Sequence, residues 1–200
     1  MSLNLILGPM FAGKSTYLID TIQTLLNNSI SDEDKKNTLE TILIINHSSD
    51  KRYSNESEIS SHDKKKMPCV SLNNLEELFN NTNAINNIDN IDNIDITKKK
   101  YIFIDEGQFF NDLYDSVKTL LIKYKKIIYI GGLDGNYKQE PFFKSRILEL
   151  IPYAKTVIKL NAKCVDCNND APFTKRIVIS EEEILVGGTD SYKPVCLNHL

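Results

Sequence analysis

Gly8-Pro-Met-Phe-Ala-Gly13-Lys14-Ser15 constrains this chain more than any other stretch, because it fits G-x-x-x-x-G-K-S/T between an apolar run and a helical stripe. Leu3 to Leu7 reads as a short buried strand that stops at Gly8 and Pro9. From Ser15 onward, Leu18, Ile19, Ile22, Leu25 and Leu26 recur at the three-and-four spacing of one helix face, up to Asn27, Asn28 and Ser29. In that setting the glycines let the backbone curl so that successive amides face one anion, and the helix N-terminus adds partial positive charge. Gly8, Pro9, Met10, Phe11, Ala12 and Gly13 therefore form an expected phosphate cradle, with Lys14 reaching the β- and γ-phosphates and the Ser15 hydroxyl a ligand for magnesium.

The alternation continues. Ser31 to Asn37 reads as a polar, charged connection, and Thr41 to Ile45 as a second buried strand. A helix is expected around Leu75 to Phe79. Tyr101 to Ile104 and Ile127 to Ile130 are two more strands, and Asp112 to Lys126 between them carries Leu113, Val117, Leu120 and Leu121 at helical spacing. This pattern predicts an α/β fold with a parallel sheet, similar to the phosphate-loop nucleotide-binding class. Asn80 to Thr97, with isoleucine at every third position from Ile85 to Ile94, matches neither a helix nor a strand and reads as a low-complexity surface insertion.

After Asn161 the chain turns to Cys, Asn, Gly and Pro with short apolar stretches such as Ile177 to Ile179 and Ile184 to Val186. We expect a nucleotide-binding unit over residues 1–160 and a small β-rich unit over 161–200, the latter too poor in apolar residues to hold together unaided. With 200 residues, 41% of them hydrophobic, the chain can bury a core by itself. A net charge of −3 gives no electrostatic footprint for nucleic acid. No stretch reaches the roughly 18 to 20 apolar residues of a membrane span. The chain therefore reads as soluble and intracellular, where a Cys-x-x-Cys pair points to metal or redox chemistry rather than disulfides.

Two constellations carry further chemistry. Asp105 ends the strand YIFI, where side chains of open parallel sheets point into the ligand crevice, on a strand expected to neighbour that of the loop. It is placed to hold magnesium with Ser15, while Glu106, projecting differently on extended backbone, is the expected general base for an acceptor hydroxyl. Alone, Asp-Glu-Gly would be an ordinary solvated strand end; the loop upstream gives it meaning. Cys164-x-x-Cys167 and Cys196-x-x-His199 form two pairs with metal-ligand spacing and together a closed Cys₃His set suited to structural zinc. A redox dithiol would not need the second pair. Cys69, His47 and His62 fit no ligand pattern.

These motifs resemble one family, the thymidine kinases with a phosphate loop and a zinc-bearing lasso. GPMFAGKST is similar to that family's loop, usually written with Ser where this chain has Ala12. IDEGQFF, Ile104 to Phe110, resembles its catalytic segment, and LDGNYKQEPF, Leu133 to Phe142, the next one. The likeness continues through Asp50 to Tyr53, Pro172 to Arg176, Gly187 to Tyr192 and both ligand pairs. The resemblance implies transfer of the γ-phosphoryl group of ATP, as its magnesium complex, to the 5′-hydroxyl of deoxythymidine, giving dTMP. By the same resemblance Glu106 is the catalytic carboxylate. Gly8 to Ser15, Asp50, Lys51, Arg52, Asp105 and Gln108 surround the donor. Met10, Phe109, Tyr137, Phe142, Thr174 and Tyr192 surround thymine and sugar, and Glu183, Ile184, Leu185, Val186 and Gly187 supply lasso backbone. It also implies a cytoplasmic homotetramer restrained by dTTP.

Two positions depart from the family pattern: His199 stands where many members have cysteine, and Ala12 lacks a hydroxyl at a position that offers mainly its amide. A nucleotide kinase of related fold would need an arginine-rich lid, and no such cluster appears in the sequence. A zinc-ribbon binding module switched by nucleotide is the other alternative, disfavoured for nucleic acid by the acidic balance.

Overall fold

The computed structural model describes residues 1–49, 58–60, 66–79, 94–180, 185 and 187–200. Strand β1 (Ser2–Leu7) leads through the phosphate loop into helix α1 (Lys14–Asn27), followed by α2 (Asp32–Glu40) and β2 (Ile42–His47). A short antiparallel pair, β3 (Glu58–Ser60) with β4 (Lys66–Pro68), precedes β5 (Val70–Leu72). Then come β6 (Tyr101–Ile104), α3 (Leu113–Ile122), β7 (Ile127–Gly132) and β8 (Thr156–Lys159). Six strands form one sheet in the order β5-β2-β6-β7-β1-β8, every pairing parallel.

Alternation along each strand splits the core into two layers. Leu3, Leu5, Leu43, Ile45, Ile102, Ile104, Ile128 and Ile130 pack with Leu113, Val117 and Leu120 of α3 on one face. Ile6, Ile42, Ile44 and Phe103 meet Leu18, Ile19 and Ile22 of α1 on the other. The expected crossover from β6 through α3 to β7 is present, with the two strands paired in parallel.

Several expectations are corrected. The polar stretch after Ser31 is not a mere connection but helix α2, none of whose residues is buried; Ser31 caps it by accepting the Asp34 amide at 3.1 Å. Helix α3 stops at Ile122, short of Lys126, because Lys125 takes φ 55 and turns the chain into β7. The segment at Leu75–Leu78 is a single 3₁₀ turn. Strands β5 and β8 were not apparent in the sequence: both are short, lie at the sheet edges and lack a buried apolar run. Residues 80–93 of the Asn-rich stretch lie outside the described residues. At its end Asp95 and Thr97 are exposed, as expected of a surface stretch, while Ile96 is anchored in the main core with Ile94 packed against it.

Beyond Leu160 the chain forms two antiparallel ribbons, β9 (Ala162–Lys163) with β10 (Asp170–Ala171) and β11 (Phe173–Arg176) with β12 (Tyr192–Val195), then a 3₁₀ turn, Leu197–His199. Ile177 and Ile179 are exposed and belong to no strand. The apolar cluster here is small: Ala162, Cys164, Ala171, Val195 and Cys196.

Candidate active site

The loop after β1 turns at Gly8, where an added Cβ would lie 2.5 Å from the Leu160 carbonyl oxygen, so that no larger residue fits without moving backbone. Gly13 takes φ 83 at the start of α1, which has no side-chain cap and no acidic residue in its first turn. The first amides of that helix therefore have no partner from a capping side chain, the arrangement that suits an anion. Lys14 is buried, and its ammonium donates to the Pro9 carbonyl at 2.7 Å, folding back over the loop.

Asp105 does not stand on a strand next to β1, as the sequence suggested; β7 lies between them. The gap is bridged because β7 carries Gly131 at this level. A Cβ at Gly131 would meet the Asp105 Oδ1 at 2.9 Å and Leu18 Cδ1 at 3.1 Å, so the missing side chain is what gives the carboxylate its space. Asp105 thereby lies where Ser15 and the Lys14 charge both favour its ionised form. Burial, with the Glu106 carboxylate beside it, pushes its carboxyl up to about 7 against the pull of Ser15, the Glu106 amide and Lys14. Hydroxyl and carboxylate oxygens together fit a hard divalent cation, whose charge would favour the ionised form of Asp105.

Extended backbone does not persist past Asp105. Glu106 takes φ 52 and ψ 41, and a 3₁₀ turn, Gly107–Phe109, follows. A left-handed glutamate costs about 1 kcal/mol and persists only where its surroundings hold it. Gln108 does so: its buried side-chain amide donates to Glu106 Oε2 at 2.5 Å while its oxygen accepts the Leu133 amide at 2.9 Å. Gln108 is thus committed to the neighbouring carboxylate and to the start of the next segment.

On the far side of the loop, the Met10 amide donates to Thr174 Oγ1 at 2.9 Å. The Arg176 guanidinium lies 3.8 Å from the centre of the Tyr137 ring and donates to the Tyr192 hydroxyl at 2.9 Å and to the Ser180 carbonyl at 3.3 Å. The Tyr192 hydroxyl in turn donates to the Leu185 carbonyl at 2.8 Å. Met10 and Thr174 are therefore joined, as are Tyr137, Tyr192 and Leu185. Phe109 tilts against the His47 ring at 5.8 Å, and Phe142 is buried at the head of the turn to Arg146. Arg176, His47 and Gly131 were not assigned roles from the sequence. Arg176 at least lay inside a recognisable motif; the others carried no signal without the sheet order. Asp50, Lys51, Arg52, Glu183, Ile184 and Val186 lie outside the described residues, whereas Gly187 is described.

The two ligand pairs converge. Ligand atoms of Cys164, Cys167, Cys196 and His199 all lie within 4.8 Å of one another. His199 Nδ1 is 3.2 Å from the Cys196 sulfur and 3.5 Å from that of Cys164, and the Cys167 and Cys196 sulfurs are 3.6 Å apart. Tetrahedral zinc with ordinary bond lengths places its ligands about 3.5 to 3.8 Å apart; two of these three separations match, and the set is gathered closely enough for side-chain rotation to complete it. Burial alone would raise the Cys164 thiol, but backbone amides of Cys196, Asp166 and Cys167 hold it down at about 6. The penultimate position of His199 is secured by Lys175, whose ammonium donates to the His199 carbonyl at 3.0 Å. Among the described residues, no helix is long and apolar enough to cross a membrane.

The thymidine kinase family model matches residues 1–200. The chain is similar to the thymidine kinase of Yaba monkey tumor virus, 36% identical over 194 residues, covering 97% of this chain and 91% of the relative. It is similar to that of Oryza sativa subsp. japonica, 34% identical over 197 residues, covering 98% of this chain but 65% of the relative. The human cytosolic thymidine kinase is 31% identical over 194 residues, covering 97% of this chain and 70% of the relative.

Proposed function

The chain belongs to the thymidine kinase family, and from that premise we propose that it transfers the terminal phosphoryl group of ATP to the 5′-hydroxyl of deoxythymidine. The observation that carries the assignment of parts is the packing over Gly131, where the Asp105 carboxylate and Leu18 of α1 meet in the space of the missing side chain, which brings the acid pair to the helix that the phosphate loop opens. It supports one continuous site with donor phosphates at the loop and the acceptor beside Glu106.

In this reading the amides of Gly8 to Ser15 and the start of α1 hold the phosphates, and Lys14 exchanges the Pro9 carbonyl for a phosphate oxygen. Ser15 and Asp105 would hold magnesium, which when bound neutralises charge on the transferring group. The 5′-oxygen forms its bond to the γ-phosphorus as the bond to the bridging oxygen of ADP breaks. Glu106, oriented by Gln108, accepts the hydroxyl proton late in that step. Thymine and sugar lie among Met10, Phe109, Tyr137, Phe142, Thr174 and Tyr192, with residues 183–187 closing over them through main-chain groups. Arg176 is a positioning residue: it ties the Tyr137 ring to Tyr192 and, through it, to the Leu185 carbonyl. Asp50, Lys51 and Arg52 complete the donor side.

Cys164, Cys167, Cys196 and His199 would hold a zinc ion, which supplies a cross-link where the apolar cluster is small. The same reading extends to two structural units, residues 1–160 and 161–200, to a cytoplasmic homotetramer and to feedback by dTTP, which sedimentation and inhibition assays test. The decisive assay offers the pure protein ATP and a panel of nucleosides, scored for 5′-monophosphate. Thymidine is expected to be a substrate; product from dTMP but not from thymidine would overturn the reading.

A further inference from the structure

The outer surface of the phosphate loop is partly covered. Phe11 and Ala12 pack against the cluster of Ala162, Cys164, Ala171, Val195 and Cys196, and two of those five residues belong to the candidate metal set. Phe11 takes φ 65, a conformation that an aromatic residue holds only when its surroundings impose it. Two further contacts hold the loop on the N-terminal side of Phe11. The Met10 amide donates to Thr174 Oγ1 of β11, and Gly8 lies against the Leu160 carbonyl where the chain leaves β8 for β9.

Met10, Phe11 and Ala12 thus lean on a region whose buried apolar cluster, apart from the ligand cysteines, is two alanines and a valine with Phe173 packed against it. So small a cluster has little to fix Cys164 against Cys196 except a shared metal ion. We propose that the metal centre braces the phosphate loop, with Phe11 as the positioning residue that transmits it, so that metal occupancy sets affinity for the donor nucleotide. When the cysteines part, Phe11 loses its seat, and the loop spends less of its time in the anion-binding geometry. Apparent affinity then falls by that fraction. The inference rests on Gly8 to Ser15 being the donor site.

The test uses the full chain, metal-loaded or depleted by chelation and checked by elemental analysis, titrated calorimetrically with a non-hydrolysable ATP analogue and magnesium in the absence of thymidine. Metal removal is expected to weaken binding about tenfold, and Phe11→Ala to do the same with its metal retained. Removing metal from Phe11→Ala should then add little, and Phe11→Leu should recover much of the loss. The proposal is overturned if Phe11→Ala retains both metal and full nucleotide affinity, or if the two losses multiply. Should the depleted protein unfold, the metal-loaded Phe11→Ala arm decides by itself. Failure of the donor-site reading would look different, since the unaltered protein would then not bind the analogue at all.

Discussion

Helices α1 and α2 follow one another in the chain yet begin in opposite ways. Helix α2 satisfies its own N-terminus: Ser31 accepts the Asp34 amide, and Asp32, Glu33 and Asp34 place negative charge in its first turn. Helix α1 starts from a left-handed glycine with no capping side chain and no acidic residue in its own first turn. One helix end is closed by its own residues, at a gain of about 1 kcal/mol for the cap. The other is left for a ligand, and its stability comes from Leu18, Ile19 and Ile22 packed under the sheet. An uncapped helix N-terminus on a well-buried helix is therefore informative, because packing there has removed the need for a cap.

Closing α1 as α2 is closed should have the largest effect. Gly13→Asp places a carboxylate where the phosphates would sit, and although its Cβ meets nothing within 4 Å, the φ of 83 adds strain. ATP affinity should fall at least about a hundredfold, since like charges in contact cost several kcal/mol. Calorimetry reads it, and unchanged affinity would erase the contrast between the helices. Gly131→Ala sharpens the comparison by displacing Asp105 and pressing on Leu18 while leaving the Gly13 turn unaltered. Turnover should drop about tenfold or more at little cost in ATP affinity, with a loss of about 1 to 3 kcal/mol in stability from overpacking.

A smaller effect is expected away from the loop. Tyr192→Phe removes the donor to the Leu185 carbonyl and the acceptor for Arg176, which should raise thymidine KM about five- to tenfold without changing that for ATP. Equal changes in both would show that the residue supports the fold rather than the nucleoside side. Smallest is Ser31→Ala, which opens α2: about 1 kcal/mol of local stability is lost, seen as faster amide exchange in residues 32–40, with phosphorylation rate unaffected.

The same contrast explains what was legible in the sequence. Strands β1, β2, β6 and β7 and helices α1 and α3 announce themselves because burial demands apolar residues at fixed spacing. Helix α2 buries nothing and is held by its cap, so apolar periodicity could not reveal it. Strands β5 and β8 were missed because edge strands need only a few residues and little burial. Within the site, the loop, the acid pair and the Cys/His set were readable as local patterns. That Asp105 comes to α1 past β7, through the space left by Gly131, depends on strand order, which no local pattern encodes. The left-handed turn at Glu106 was likewise hidden, since glutamate gives no sign of a positive φ.

The central claim, that loop and acid pair work as one site with separate duties, is tested most directly by Glu106→Gln. Conversion of labelled thymidine and binding of an ATP analogue should be measured on the same preparation. The account predicts that product formation falls at least about a hundredfold while ATP affinity is unchanged. Retained turnover, or loss of ATP affinity together with turnover, would contradict it.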